Sequence, residues 1–351
     1  MDFFQDGQAI GSVASMIMNN NFTTQAMRPF VGEDGNTYIV DNQAPNKVRK
    51  ISQNAEATLR KDEWIHLDKA VVAAARQRRG FVANLQRAGL VYNIGNALGK
   101  TVLQSQSASK RGSAKVSMDG LAKGDDDRTH FELEGVPLPL IHEDFSFSAR
   151  EVATSRNDGT PLDTDGVSNA TENVLDKIED MHLGLNPYKF GGYNIYGLTS
   201  FPSNISVTIT APTAGGWTGK TLVADLLAMK EALRTKYMYG PFDVYFSPDW
   251  DLYLDQDYSD AKGDNTIRER IGKIEGMSIG QTLDHLPTGY HVYIVRRNTN
   301  TIRTISGLSL TTVRWETEGG MQLNYKVMAM MIPQLRADFD GNCGIAHGAP
   351  A

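Results

Sequence analysis

The chain has 351 residues, of which 40% are hydrophobic and 22% are charged, so it can bury a large core and general disorder is excluded. Its formal net charge of −6 argues against a sequence-specific DNA-binding protein, which usually carries a strongly basic face. The single cysteine, Cys343, excludes an intramolecular disulfide framework and a multi-cysteine zinc site, and we expect an inert thiol.

The start of the chain has the features of neither a secretion signal nor a membrane span. The segment MDFFQDGQAIGSVASMIMNN lacks a basic beginning and a long apolar run, and nowhere do roughly 20 apolar residues stand together. We therefore expect a soluble protein that is made in a cytoplasm and has no membrane partner.

Residues 1–56 are predicted to form an extended N-terminal arm. They are rich in Asn, Gln, Gly and Thr, and their apolar residues are scattered, as at Phe3-Phe4, Phe22 and Phe30. Such a segment has too little clustered apolar material for a core of its own, yet too many aromatic residues for a solvated tail. We expect it to lie on another subunit.

A locally basic segment follows in this acidic chain. Between Lys47 and Arg87 there are ten Lys and Arg residues against four Asp and Glu residues. Two interpretations remain open, since such a segment either pairs with an acidic surface of a neighbour or faces nucleic acid. The first is the commoner arrangement.

The next two elements are a helix and a polar hairpin. Apolar residues at helical spacing predict an amphipathic helix over Asp62–Ala88 that Gly89 ends: Trp64, Leu67, Val71, Ala74, Val82 and Leu85. Two polar, β-prone runs, Thr101–Ser107 and Ala114–Met118, then flank Lys110-Arg111-Gly112. A hairpin with so few apolar residues cannot bury itself and needs a partner.

A strand and two helices are predicted in the middle of the chain. Alternation at Phe145 and Phe147 predicts a strand that enters a sheet. A long helix follows Asp163 and Thr164 and ends at Gly184, with Val167, Ala170, Val174, Ile178 and Met181 on its apolar face. Residues 191–215 are predicted to be loop with one strand, Ile205–Thr210, before a second helix that uses Leu222, Leu226, Met229, Leu233 and Tyr237.

The last third is predicted to be mostly strands. The run FDVYF at 242–246 is typical of a buried strand, and Ser247-Pro248 then suits the start of a short helix. Further strands are expected at Met277–Thr282, Tyr290–Val295, Ile302–Trp315 and Met321–Met331, with a turn at Asn298–Asn300. The fold class is therefore α+β, with mostly antiparallel strands towards the end.

No stretch of the sequence demands catalysis. AGGWTGKT at 214–221 fits a phosphate-binding loop except that Ala214 replaces the first glycine, and Asp249 falls at a helix start instead of holding a metal. We predict a glycine-rich turn feeding a capped helix. The seven histidines show no metal-ligand spacing, and Asp125-Asp126-Asp127 lacks the glycine and terminal Glu of a calcium loop. We expect no enzyme, and no catalytic, cofactor-binding or metal-binding residues.

Three stretches of the sequence have a pattern of their own: VPLPLIHEDFSFSAREV leading through TPLDT into the helix ending IEDMHLG; YGPFDVYFSPDWDLYLDQDYS; and LSLTTVRWE with MQLNYKVMAMMIPQLRAD. In this order they resemble the Hong Kong 97-type fold of tailed-phage major capsid proteins and encapsulins. The resemblance covers roughly residues 57–345. It implies an arm at 1–56, an N-terminal helix region at 57–94, an extended loop at 95–134, a peripheral domain at 135–190 and 304–330, and an axial domain at 191–303 and 331–351.

The resemblance also implies a function. It is that of a major capsid protein that self-assembles as hexamers and pentamers into an icosahedral shell around double-stranded DNA, touched without sequence reading. The helix near 165–183 resembles the spine helix, on the inner face of the shell. The virion capsid would assemble in the host cytoplasm, with portal, scaffolding and decoration proteins as possible partners. The arm favours a phage shell over the alternative, an encapsulin-type compartment.

Two family features are not carried over to this chain. Lys110, Lys115 and Lys123 lie in the loop where some members form an isopeptide bond, but no partner motif accompanies them, so no bond is predicted. Because Met1 is present, we expect no cleavage of a large N-terminal scaffold and a separate scaffolding protein. From other classes, a nucleotide hydrolase would lose nucleotide binding on Lys220→Ala, and a soluble hydrolase has no residue to name for it.

Overall fold

A computed structural model describes residues 80–95, 97–108, 118, 131–158, 165–258 and 265–350, together with the backbone of 30–31, 37–41 and 44–51. The helices are α1 (Gly80–Arg87), α2 (Ala149–Asp158), α3 (Asp165–Leu183), α4 (Gly219–Thr235), α5 (Asp251–Leu254) and α6 (Ile267–Gly272). None of the helices in these ranges is long and apolar enough to cross a bilayer.

The strands of the first half are β1 (Phe30–Val31), β2 (Thr37–Asp41), β3 (Ala44–Ile51), β4 (Val91–Asn93), β5 (Val102–Ala108), β6 (Phe131–Pro137), β7 (Ile141–Ser148), β8 (Tyr188–Phe190) and β9 (Tyr193–Ile195). Those of the second half are β10 (Ile205–Ile209), β11 (Phe242–Phe246), β12 (Met277–Thr282), β13 (Val292–Arg296), β14 (Ile302–Thr317), β15 (Gln322–Leu335) and β16 (Ile345–Pro350).

A four-stranded sheet in the order β4-β14-β15-β7 carries helix α3. Its centre is the long antiparallel hairpin of β14 and β15. The apolar residues predicted for α3 are all buried, and four of them share one cluster with both strands: Ala170, Val174, Ile178 and Met181. The prediction for this helix is confirmed, and Gly184 follows its end with a φ of 89°.

A five-stranded sheet in the order β10-β16-β13-β11-β12 packs against helix α4. Strand β11 lies inside this sheet, and all five of its residues are buried. Phe242, Val244 and Phe246 belong to the cluster that includes α4, while Tyr245 belongs to a different cluster. Because both faces of β11 are covered, its sequence is a continuous apolar run broken by one acid.

A third apolar cluster joins the two sheets. It contains Phe81 and Leu85 of α1, Tyr245 of β11, and Ile302 and Leu335 from the hairpin of the four-stranded sheet. Its members are buried, so the two sheets share one continuous body of packed side chains. The relative position of the sheets is therefore set by core packing.

Helix α1 ends where the sequence predicted, and its described part begins at Gly80. Gly89 has a φ of 71°, its amide bonds to the Gln86 carbonyl, and the Leu90 amide bonds to the Leu85 carbonyl, which is the Schellman arrangement. At the other end, the amides of Phe81 and Val82 donate to a side chain of α3 and not to a preceding turn. The described part of the helix predicted from Asp62 is Gly80–Arg87, and residues 62–79 of the prediction lie outside the described ranges.

The hairpin prediction is wrong in its return strand. Strand β5 confirms the first run, but it pairs antiparallel with β6, from Val102 opposite Pro137 to Ala108 opposite Phe131. Residues 114–117 lie outside the described ranges. The pattern FELEGVP of β6 is as alternating as the run that was chosen, and pairing partners across a long loop are decided by tertiary contacts.

The predicted arm contains an unexpected small sheet. Strands β1, β2 and β3 pair antiparallel in that order, so the backbone of 30–51 satisfies part of its hydrogen bonding locally. Residues 1–29 lie outside the described ranges, and docking of the arm on another subunit stays a prediction. The sequence Tyr38-Ile39-Val40 is β-prone, which is the local reason for the sheet.

Several shorter elements were missed and one helix was drawn too long. Tyr237 lies beyond the end of α4, with a φ of 60° and an exposed side chain, because the chain turns there. Helices α2 and α6 and strand β16 were not predicted. The hairpin of β8 and β9 was taken for loop; its turn, Gly191-Gly192, has positive φ at both residues, which suits a type I′ turn.

Candidate functional site

The stretch AGGWTGKT forms a capped helix start, as predicted. Thr218 is the N-cap of α4; its amide lies 3.4 Å from Thr221 Oγ1, and the Thr221 amide donates to the Thr218 carbonyl at 2.9 Å. Trp217 packs on the ring of Tyr253, with centroids 5.6 Å apart. Asp249 accepts the Gly289 amide at 2.7 Å and holds a loop. Thr218, Trp217 and Asp249 therefore each have a structural role in the described fold.

The described histidines occupy four separate environments. His142 lies 3.8 Å from Asp144 on the surface, and His285 lies 2.7 Å from Asp180. His347 Nε2 lies 3.1 Å from His291 Nδ1, and burial lowers the pKa of His347. His66 and His130 lie outside the described ranges. Within those ranges, no three His, Cys, Asp or Glu side chains are close enough to share a metal ion.

His182 is the most deeply buried of these histidines. Its Nδ1 lies 2.8 Å from the Ile178 carbonyl, and its Nε2 lies 3.1 Å from the Thr304 hydroxyl. Burial lowers its pKa to about 4, so the ring is neutral near pH 7. In that form Nδ1 donates to the carbonyl and Nε2 accepts from Thr304, which ties α3 to β14.

Cys343 lies in the core, as the expectation of an inert thiol requires. Its side chain belongs to the cluster between the two sheets. Burial raises the pKa of the thiol to about 12, so the nucleophilic thiolate is not formed near pH 7. Asp125–Asp127 and the lysines at 110, 115 and 123 lie outside the described ranges.

One buried carboxylate connects helix α3 to helix α1. Glu179 of α3 is 2% exposed and accepts the amides of Phe81 at 2.7 Å and Val82 at 3.1 Å. A carboxylate at these amides also faces the positive end of the α1 dipole. No pattern in the sequence predicted this pair, because the two partners are 98 residues apart.

The ribbon of β5 and β6 is the feature that most needs a partner. It pairs seven residues on each side, and its Leu103 and Val136 pack on the core of the four-stranded sheet. Gly135 lies against the ring of Tyr193, where an added Cβ would come within 2.7 Å, and Gln334 Nε2 donates to Ser105 Oγ at 3.4 Å. A two-stranded ribbon is marginal alone in water, so contact with another surface would stabilise it.

Beside this ribbon lies a groove of ≈ 340 Å³ that both apolar and polar residues line. Leu133 of the ribbon, Tyr193 and Tyr196 beyond the Gly191-Gly192 turn, and Leu335 of β15 contribute to it. Leu133 is 51% exposed. Further large apolar side chains are exposed nearby on the β8–β9 hairpin: Tyr188 and Phe190. Such a grouping is typical of a surface that contacts another protein.

Solved structures share this fold at low sequence identity. A virus-like particle from Pyrococcus furiosus matches with a TM-score of 0.57 and 16% identity, covering 82% of this chain and 98% of that chain. The capsid of Myoviridae Phage XM1 matches with a TM-score of 0.60 and 11% identity, covering 78% and 94%. A chain from Mycobacterium phage Bobi matches with a TM-score of 0.56 and 11% identity, covering 79% and 93%.

The structural matches confirm the resemblance to the Hong Kong 97-type capsid fold. The boundaries given above for the arm, loop, peripheral and axial domains stay predictions. A family model described as a family of unknown function (DUF6260) matches residues 54–348. No curated protein matches the chain significantly.

Proposed function

The chain belongs to the family of unknown function DUF6260, and from that premise and the capsid-type fold we propose that it is a major capsid protein of a tailed double-stranded-DNA phage. In this proposal, copies assemble as hexamers and pentamers into an icosahedral shell, in the cytoplasm of a host cell, and become part of the virion. The protein acts through contacts with itself and not as an enzyme. It needs no cofactor.

The observation that carries the proposal is that the capsid-type fold and the β5–β6 ribbon occur together in this chain. The chain matches nearly the whole of the XM1 capsid chain, and it presents a two-stranded ribbon and an adjoining groove with exposed apolar side chains such as Leu133. Ordering such segments costs about 1–2 kcal/mol per residue in backbone entropy. Burial of each segment on a neighbouring copy would offset that cost, as a closed shell provides.

The surface residues of α3, the helix that resembles the spine helix, indicate how packaged DNA would contact the shell. The exposed and half-exposed positions of α3 include Asn169, Asn173, Asp176 and Lys177, which is not a strongly basic set. We infer that any contact with DNA is non-specific and is made by few phosphates. Scaffolding, portal and decoration proteins are further partners in this proposal.

Expression of the full chain followed by electron microscopy tests the proposal. We expect closed particles of uniform diameter that sediment far faster than a 38.6 kDa chain. A chain that stays monomeric at high concentration, with or without a co-expressed scaffolding protein from the same genome, would contradict a shell-forming function.

The second candidate is an encapsulin-type compartment, favoured by the Pyrococcus furiosus match, which covers 98% of that chain. Particles purified from the native source distinguish the two. Nuclease-protected double-stranded DNA of constant length supports the phage capsid, whereas an enclosed enzyme without DNA supports the compartment.

A further inference from the structure

A polar pocket of ≈ 360 Å³ lies where the ribbon meets two loops of the body. Gln106 of β5 forms one side of it. The turn between β13 and β14 contributes Asn300, and the loop between β15 and β16 contributes Arg336 and Asn342. Arg296, at the end of β13, completes the set that matters here.

The two arginines of this pocket have no carboxylate partner within the described ranges. Both are half-buried. Arg296 Nη1 makes a weak contact with the sulfur of Met238 at 3.4 Å, and the Arg336 guanidinium makes no hydrogen bond or ion pair with a described residue. Some other arginines of the described ranges pair with carboxylates: Arg297 with Asp243, and Arg268 with Asp251 and Asp255.

The surroundings add to the positive charge. Arg303 stands close by, and burial together with the charge of Arg336 lowers the pKa of Arg303. The Asp338 carboxylate also lines the pocket, but it accepts the Asn342 amide at 2.7 Å and the Asn342 side chain at 3.3 Å, and so holds its own loop. Half-buried guanidinium groups that are not hydrogen-bonded to a carboxylate have lost part of their hydration, and a further anionic partner would offset that loss.

The dimensions of the pocket favour a carboxylate over a nucleic-acid backbone. The arginines lie in a small concavity with an acidic residue at its rim, whereas a DNA-binding face presents a broad basic surface. Planar guanidinium groups bind carboxylates through paired N–H donors, and Asn300 and Asn342 offer further donors. The expected occupant is therefore an acidic protein segment.

The chain itself contains such a segment. Asp125-Asp126-Asp127 is the one run of three consecutive acids in the sequence, and it lies in the 22 residues that connect Ala108 of β5 to Phe131 of β6. Asp126 lies five residues before Phe131, so a fully extended chain carries it up to roughly 17 Å from the end of the ribbon, towards an adjacent copy.

We propose that the pocket formed by Arg296, Arg336, Asn300 and Asn342 binds the acidic run Asp125–Asp127 of a second copy of the chain. The inference rests on the proposed shell-forming function and specifies one contact between neighbouring copies. Each copy would offer one pocket and one acidic run, so the contact is heterologous and repeats around a ring.

Paired cysteines on separate chains test the contact directly. Asn300→Cys chains and Asp126→Cys chains are co-assembled under mild oxidation and run on a non-reducing gel. The native Cys343 is buried and gives little background. We expect covalent dimers from this pair, and none when Lys220→Cys, exposed at the start of α4, replaces Asn300→Cys. The same experiment with Asp125→Cys or Asp127→Cys in place of Asp126→Cys allows for a shift of the acidic run by one residue in the pocket.

Absence of dimers from all three pairs, in particles that form normally, would overturn the inference. A chain carrying both cysteines that closes only an internal disulfide would show that the acidic run occupies the pocket of its own chain, and would overturn it too. If no particles form from the unaltered chain, the proposed function itself fails, and the two failures are thereby distinguished.

Charge reversal gives an independent measurement. Arg336→Glu should raise the critical concentration for assembly about tenfold, and Asp126→Arg added to it should restore much of the loss. Arg150→Glu, an equal change of charge on exposed α2, is the matched control and should assemble normally. Normal assembly of Arg336→Glu would contradict the inference, and so would particles that form normally but lose their DNA, since the pocket would then bind phosphate.

Discussion

Acidification should weaken this protein through His182, whose ring is fully buried between α3 and β14. Burial lowers its pKa from an ordinary 6.5 to about 4. Between these two values the unfolded chain binds a proton at this residue and the folded chain does not. The free energy of unfolding therefore falls as the pH is lowered from 6.5 to 4, and this residue causes no further loss below pH 4.

The size of the effect follows from the two pKa values. Each pH unit in that window costs about 1.4 kcal/mol, so the loss reaches about 2 kcal/mol at pH 5 and about 3 kcal/mol below pH 4. This loss is a sizeable part of the free energy of unfolding of a typical folded protein, which is roughly 5–15 kcal/mol. It should be visible without complete acid unfolding.

Urea unfolding of the unassembled chain, followed by tryptophan fluorescence at pH 7 and pH 5, measures the loss. Other groups also contribute to the pH dependence of the whole chain, so the informative quantity is the difference between the unaltered chain and His182→Gln. We expect the variant to lose about 2 kcal/mol less between the two pH values. His142→Gln, at an exposed histidine, should behave like the unaltered chain. Equal losses in the His182 variant and the unaltered chain would refute the reasoning.

Three further changes have matched controls in the chain. Leu226→Ala removes a side chain buried under the five-stranded sheet and should cost about 2–5 kcal/mol in urea unfolding, whereas the half-exposed Leu227→Ala should cost under about 1 kcal/mol. Gly135→Ala drives a Cβ into the Tyr193 ring and should speed proteolysis of the ribbon, while Gly95→Ala, with open space around it, should not; equal cleavage rates would contradict this packing. Glu179→Gln weakens the charged hydrogen bonds to the start of α1 and should cost about 2 kcal/mol, seen as faster amide exchange at Phe81 and Val82; Glu172→Gln, on the same helix and less buried, is its control.

The elements predicted best from the sequence were those with strong periodicity over many residues. Helix α3 was predicted because five apolar residues recur at helical spacing and Gly184 follows, and all five are buried. Strand β11 was predicted from an apolar run bounded by Pro241 and Ser247-Pro248. Both patterns reflect burial on a defined face, which the sequence records directly.

Short elements and distant pairings were predicted poorly. Helix α6 has six residues, too few to show a period, and the β8–β9 hairpin has three residues on each side. The return strand of the ribbon was misplaced because several polar, alternating runs in the loop region are equally suitable locally. Intrinsic strand preference is weak, and pairing is decided by neighbours such as Tyr193 packed on Gly135.

The candidate functional surfaces also divide into those that the sequence predicted and those that it could not predict. The sequence indicated a projecting polar hairpin and excluded an obvious catalytic motif, since both follow from composition and spacing. The pocket at Arg296 and Arg336 could not be predicted, because those residues come from separate loops and Gln106 from a distant strand. Whether an arginine has a counter-charge depends on its three-dimensional surroundings.

By itself, the sequence determined the long helices, the buried strands and the segment that lacks apolar residues of its own, because side-chain hydrophobicity at a regular period decides which local structure can be buried. Tertiary structure alone decided that the α3 carboxylate of Glu179 caps α1, that His182 is held neutral beside Thr304, and that two arginines are left without a carboxylate among the described residues. Desolvation and charge pairing depend on distances between residues far apart in the chain, and only the folded arrangement sets those distances.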